Sequence, residues 1–205
     1  MELQHLFHVI IEKQNSIMKQ IIYILTLFIF SCKAQQPVYP LNTSASKLAS
    51  NAYFKDLNNE LNYYTGTWKA TFQDNAITLQ ISKQIKAPIE LFGKNFYRDQ
   101  LFTRYEVRKN GVILESTLNK DFTNDTGFSV RSAYTLDSGN SVTLLFSGGN
   151  CNVGIGTVVL KKINSTQLSW GYYPGTTTRN DITCPTDKDY TIYLPETKDL
   201  IFTKQ

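Results

Sequence analysis

The residues best able to do chemistry are scarce in this chain. Among its 205 residues there are two histidines, His5 and His8, and both precede the apolar run 21–30. A chain processed after that run keeps neither. That removes Ser-His-Asp and Cys-His nucleophile systems and every His-based metal site, so no metal and no cofactor is expected. The cysteines are Cys32, Cys151 and Cys184. With Cys32 taken up at a processed N-terminus, Cys151 and Cys184 remain as an even pair, which in an oxidising compartment reads as a disulfide. It would close a loop of about thirty residues and contribute roughly 3–4 kcal/mol in the chain-entropy picture. The alternatives are two unpaired thiols or a reactive thiol, the latter without a histidine to lower its pKa.

Carboxylates need no histidine. Glu90, Asp99, Glu106 and Glu115 are the candidates for a carboxylate-dependent hydrolase, which requires two of them about 5–10 Å apart in an open cleft; on strands they more often face solvent. The segment Asp121 to Gly127 has the look of a calcium loop, but its glycine falls one place late and Ser132 stands where a closing Glu is needed, so a solvated turn is expected. Gly154-Ile155-Gly156 lacks the third glycine of a dinucleotide fingerprint and leads into a strand, which fits close backbone approach or a bulge. Among the aromatics, Trp68 and Trp170 run in phase with apolar neighbours and read as core. Tyr172 and Tyr173 are the candidate contacts for a ligand or partner, Tyr173 the better exposed because it opposes Trp170 in phase. The net charge of +4 is scattered, with no basic stripe, so no nucleic-acid partner is expected.

Positioning these residues falls to β-structure. Tyr, Phe, Thr and Val, abundant here, suit a pleated half-buried surface. A short helix is expected first, capped by Asp56, with Leu57, Leu61 and Tyr64 on one face. After Gly66 the apolar period becomes two: Trp68, Ala70 and Phe72, then Ile77, Leu79 and Ile81, about a turn at Asp74-Asn75. A long strand over 98–108 meets Asn110-Gly111, a strong hairpin signal because both turn positions take positive φ, and 112–117 returns. Further strands are expected over 128–135, 141–147, 153–160, 167–173, 190–194 and 200–204. About ten strands joined by short turns, with no βαβ alternation, predict one all-β domain, an antiparallel up-and-down barrel or, alternatively, a sandwich.

Ahead of the domain, the run 21–30 would span about 15 Å as a helix, short of a bilayer core of about 30 Å. With its basic lead it fits a signal peptide. Its end, Ile29-Phe30-Ser31-Cys32, resembles the lipobox of bacterial lipoproteins. The resemblance implies cleavage before Cys32 after its thiol has received a diacylglyceryl group. Residues 1–31 are then a signal peptide, with Met18 as an alternative start; 32–52 a lipidated cysteine and flexible tether; and 53–205 the β domain. Each buried acyl methylene contributes about 0.8 kcal/mol, so two or three chains hold the protein to the membrane durably. Lys33, with no acidic residue close behind, implies by the same resemblance an outer-membrane location facing the periplasm.

Two wider resemblances follow. Tyr64-Thr65-Gly66-Thr67-Trp68 resembles the opening of lipocalin-type barrels, in which the G-x-W tryptophan plugs the barrel base. The signal MKQIIYILTLFIFSCKAQ, the block AYFKDLNNELNYYTGTW and the ending TIYLPETKDLIFTKQ resemble uncharacterised lipoproteins of flavobacteria grouped as a domain of unknown function. That resemblance implies a compartment and no activity. The reading that results is a non-enzymatic envelope lipoprotein whose barrel binds a small apolar ligand or a protein partner; the alternative is a packed barrel with a structural or interaction role.

Overall fold

The computed structural model describes residues 13–14, 17–21, 35–123, 127–177, 182 and 184–205. The chain divides into two compact units, Met1–Pro37 and Val38–Gln205. Of the first, residues 13–14 and 17–21 are helical, and no described helix is long and apolar enough to cross a membrane. Cys32 and most of the apolar run lie outside the described residues.

The second unit holds β1 (Val38–Pro40), β2 (Tyr53–Lys55), β3 (Gly66–Phe72), β4 (Asn75–Leu91), β5 (Lys94–Lys109), β6 (Val112–Ser116), β7 (Val130–Leu136), β8 (Ser141–Phe146), β9 (Gly156–Asn164), β10 (Gln167–Pro174) and β11 (Leu200–Lys204). Eight of these form a closed antiparallel meander in the order β3-β4-β5-β7-β8-β9-β10-β11. The ring is completed by β11 on β3 and by β7 on β5. Closure removes the free edges and decides for the barrel over the sandwich. The turns follow the sequence chemistry: Asn110 and Gly111 sit at φ 50° and 82°, and the β3–β4 turn takes positive φ at Gln73 and Asp74, one place earlier than expected.

Period two places the core inside. Trp68, Leu79, Tyr105, Val107, Val142, Leu144, Phe146, Val158, Leu168, Trp170 and Phe202 converge in one buried cluster. Trp68 donates its indole N–H to the Tyr64 carbonyl at 2.8 Å, and Trp170 to that of Pro195 at 3.0 Å, so both indoles are satisfied where they are buried.

Three expectations change. The helix after Asp56 is absent: only a 3-10 turn, Asn62–Tyr64, forms. Asp56 caps no helix: the N-cap of that turn is Leu61, without a side-chain cap, and the Asp56 carboxylate instead accepts the Glu60 and Leu61 N–H groups at 2.8 and 3.2 Å as a loop bracket. Asn59 takes φ 55°, which breaks the helical run, and Leu57 is left 53% exposed. Residues 190–194 form no strand; Asp189 holds them by side-chain bonds to Thr191 N–H and the Tyr193 hydroxyl at 2.8 and 2.9 Å, and Leu194 enters the core. Finally, the sheet begins at Val38, within the segment expected as a tether. Strands β1 and β2 add in parallel to one edge of β5, and Ala45, Ala52, Phe54 and Phe96 form a second small core, with Tyr39, Leu48, Ile89 and Leu91 packed against it.

That second core exists because β4 and β5 outrun the barrel. A bulge between Gln84 and Ala87 shifts the register of their pairing, with Lys86 at φ 54°. Asp99 fixes the bulge. Its carboxylate accepts the Lys86 N–H at 2.9 Å, the Asp56 N–H at 3.0 Å and the Tyr53 hydroxyl at 2.5 Å. The N-terminal segment is thereby tied to the projecting hairpin.

Candidate functional site

The barrel interior is occupied by side chains. Trp68, Trp170, Tyr64, Tyr105, Tyr172, Phe146 and Phe202 are among the largest fully buried groups, and Phe146 packs edge-on against both Tyr105 and Tyr172. Tyr172, a candidate contact, is 2% exposed and donates its hydroxyl to the Gly154 carbonyl. It is a core residue. Tyr173 on the opposite face is 46% exposed and, with Tyr172, Pro174 and Glu196 to Leu200, lines an open surface depression of mixed polar and apolar character. Gly154 and Gly156 serve close approach: a Cβ would fall 2.9 Å from the Tyr172 hydroxyl at Gly154 and 2.4 Å from the Tyr173 carbonyl at Gly156.

The four carboxylate candidates stand in different settings. Glu90 is exposed at the end of β4. Glu106 pairs with Arg108 at 2.5 Å on the surface. Glu115 accepts the Tyr105 hydroxyl at 2.5 Å, and burial pushes its carboxyl above the usual range, with Asp189 adding to the effect. Burial also raises the pKa of Asp99, but the Tyr53 hydroxyl, the two backbone N–H groups and the Lys83 charge outweigh it and hold the carboxyl below its ordinary value. Asp99 is a structural anion. Among the described residues no cluster of three or more potential metal ligands is found. Cys151 and Cys184 form the expected disulfide, with Cα atoms 5.9 Å apart.

A markedly apolar recess lies on the outer wall. On β5, Leu101, Tyr105 and Val107 point inward, so Phe96, Arg98, Gln100 and Phe102 take the other face. Here the projecting β4–β5 hairpin stands beside the wall made by β7, β8 and β9. Between them lies a groove of about 520 Å³ with mainly apolar walls, which include Ile89, Leu91, Leu145 and Ile155. That volume falls within the range of about 300–1,000 Å³ typical of small-molecule sites. Leu145 is 54% exposed although it sits mid-sheet, because its side chain faces the groove rather than the barrel.

Two arginines line the same groove, Arg98 and Arg131. They mark the seam where the ring closes. Strands β5 and β7 pair only through Phe102↔Arg131 and Thr103↔Val130, and beyond that point side chains replace the ladder. Ser132 Oγ accepts the Leu101 N–H at 2.8 Å. Arg98 donates to the Ala133 carbonyl and, at 2.7 Å, to that of Leu41. The Arg131 guanidinium stacks 5.3 Å from the Phe102 ring centroid. Neither Arg98 nor Arg131 pairs with a carboxylate among the described residues, and the Nε of each is buried without a hydrogen-bond partner. Burial depresses the pKa of both guanidinium groups.

Compared with known families, the chain matches the model of a Family of unknown function (DUF6705) over residues 18–205. The chain belongs to the DUF6705 family. The match spans the whole barrel of this DUF6705 member and carries no activity with it. No curated protein and no solved structure matches the chain.

Sequence reasoning missed Arg98 and Arg131. Their strand phase would put both in solvent on a free-standing barrel. Leu41 and Phe54 of the returning N-terminal segment partly cover Arg98, and the Phe102 ring partly covers Arg131; no local pattern announces that cover.

Proposed function

We propose that this DUF6705 protein is a non-enzymatic binding module of the cell envelope, anchored by lipid at Cys32, that takes a small apolar molecule on its outer wall. The observation that carries the reading is the contrast between the two faces of the sheet. Aromatic side chains occupy the inside, whereas the outside offers an apolar recess of about 520 Å³. Exposed apolar side chains gathered in a concave site mark binding more often than chance. The lipobox-like segment ending at Cys32 supports the anchor, and the Cys151–Cys184 disulfide accords with an oxidising compartment. Lys33 supports an outer-membrane location on the periplasmic side.

Native mass spectrometry of the chain extracted from producing cells tests this. A bound small molecule is expected on the unmodified protein and lost from Leu145→Glu, whose exposed position tolerates the change. A bare mass for both proteins would favour the packed barrel with a purely structural role.

A further inference from the structure

We propose that the occupant of the outer groove is a fatty-acid-type anion, a single aliphatic chain ending in a carboxylate, with Arg98 and Arg131 as its counter-charge. The inference rests on the proposed binding role of the groove and narrows it to one chemical class.

The groove combines two properties that rarely coexist without a ligand. Its sides, Ile89 and Leu91 on the hairpin and Leu145 and Ile155 on the barrel, offer apolar surface suited to a hydrocarbon chain. Its two cations lack counter-ions. A guanidinium withdrawn from water is costly unless it is paired, and a carboxylate is matched to the guanidinium fork. Arg98 commits two of its nitrogens to backbone carbonyls, and Arg131 has its ring contact with Phe102; neither arrangement neutralises charge. Nearby acids do not serve. Asp99 is engaged by Tyr53, Asp56 and Lys86, and Glu90, which also lines the groove, is exposed and makes no ion pair with either arginine among the described residues. With two arginines against Glu90, the groove lining carries a net positive charge, focused by its low-dielectric walls, which selects against neutral and cationic amphiphiles of the same length. The groove also adjoins the small core that holds Tyr39 of β1, so it lies on the side of the barrel where the chain enters.

The test uses the full chain in membranes of producing cells and two photoreactive probes, palmitic acid and hexadecanol, each with a terminal diazirine. Peptide mapping locates the adducts. The expected result is labelling of the segments bearing Ile89, Leu145 and Ile155, about tenfold stronger for the acid, the ratio that one charge-assisted hydrogen bond supplies. Arg131→Gln should bring acid labelling down to the alcohol's level, while Leu145→Glu should abolish labelling by both. A cooperative urea transition of each variant, with the slope of the unmodified chain, confirms that it is folded. Equal labelling by acid and alcohol in the unmodified chain would overturn the anionic specificity and leave the groove as a binding site. Absence of groove adducts with either probe would overturn the binding role as well.

Discussion

Arg98 on β5 donates to the backbone carbonyl of Ala133 on β7, and this contact stands in for the sheet ladder where the barrel closes. The two strands share two residue pairs before β7 bulges between Ser132 and Tyr134. A side chain therefore does what the backbone cannot, and the gap it bridges becomes part of the groove.

Removing that bridge should weaken the whole barrel. Arg98→Met keeps the apolar stem but frees the carbonyls of Ala133 and Leu41. A loss of about 2–3 kcal/mol is expected, the range for a charge-assisted bond, read as a lower urea midpoint with unchanged slope. An unchanged midpoint would mean that the seam is held by the β5–β7 pairing alone.

The disulfide should contribute about 3–4 kcal/mol, since it closes a loop with a sequence separation of 33 residues. The double variant Cys151→Ala with Cys184→Ala should unfold at correspondingly lower urea. Reductant should lower the midpoint of the native chain and leave that of the double variant where it is.

Asp99 gives the protein an acid limb. Its folded-state pKa lies below the ordinary value of 3.8. Its contribution is therefore fully present above that value and is lost as pH falls through the depressed one. Asp99→Asn should cost about 2 kcal/mol at neutral pH, the order of one hydrogen bond to a charged group, and should flatten the stability profile below pH about 4. A parallel profile for variant and native chain would show that other carboxylates govern acid unfolding.

Glu115 works with the opposite sign. Its folded-state pKa is raised above 4.5, first by burial, so its favourable contribution is present below that value and lost as pH rises through the raised one. Glu115→Gln keeps an acceptor for the Tyr105 hydroxyl and removes the charge. The variant should be more stable than the native chain at pH 7 and match it at pH 4. A variant less stable at pH 7 would show that Tyr105 needs the carboxylate.

The elements legible in the sequence were those whose signal is local. Alternation from Trp68 to Ile81 and the positive-φ demand of Asn110-Gly111 specify strands and turns without reference to the rest of the chain. Cysteine parity did the same for Cys151 and Cys184. What was illegible depended on distant partners. The bulge at Lys86 is held by Asp99, so nothing between Ile85 and Leu91 reveals that β4 continues. Leu41 and Ala45 look like linker residues until the fold buries Leu41 in the main core and Ala45 in the small core beneath the projecting hairpin. Tyr172 looked free for a ligand because its partner, the Gly154 carbonyl, comes from another part of the chain. Arg98 and Arg131 occupy outward positions and are half-buried through contacts with Phe54 and Phe102.

The proposed role rests on Cys32, because acylation there would fix the compartment, set both histidines aside and leave one even pair of cysteines in the domain. The intact mass and N-terminal peptide of the chain extracted from membranes of its natural host test this directly. The account predicts a chain that begins at Cys32 and carries a thioether-linked diacylglyceryl group. A mature chain with an unmodified Cys32 thiol, or one that retains the residues before it, would contradict it.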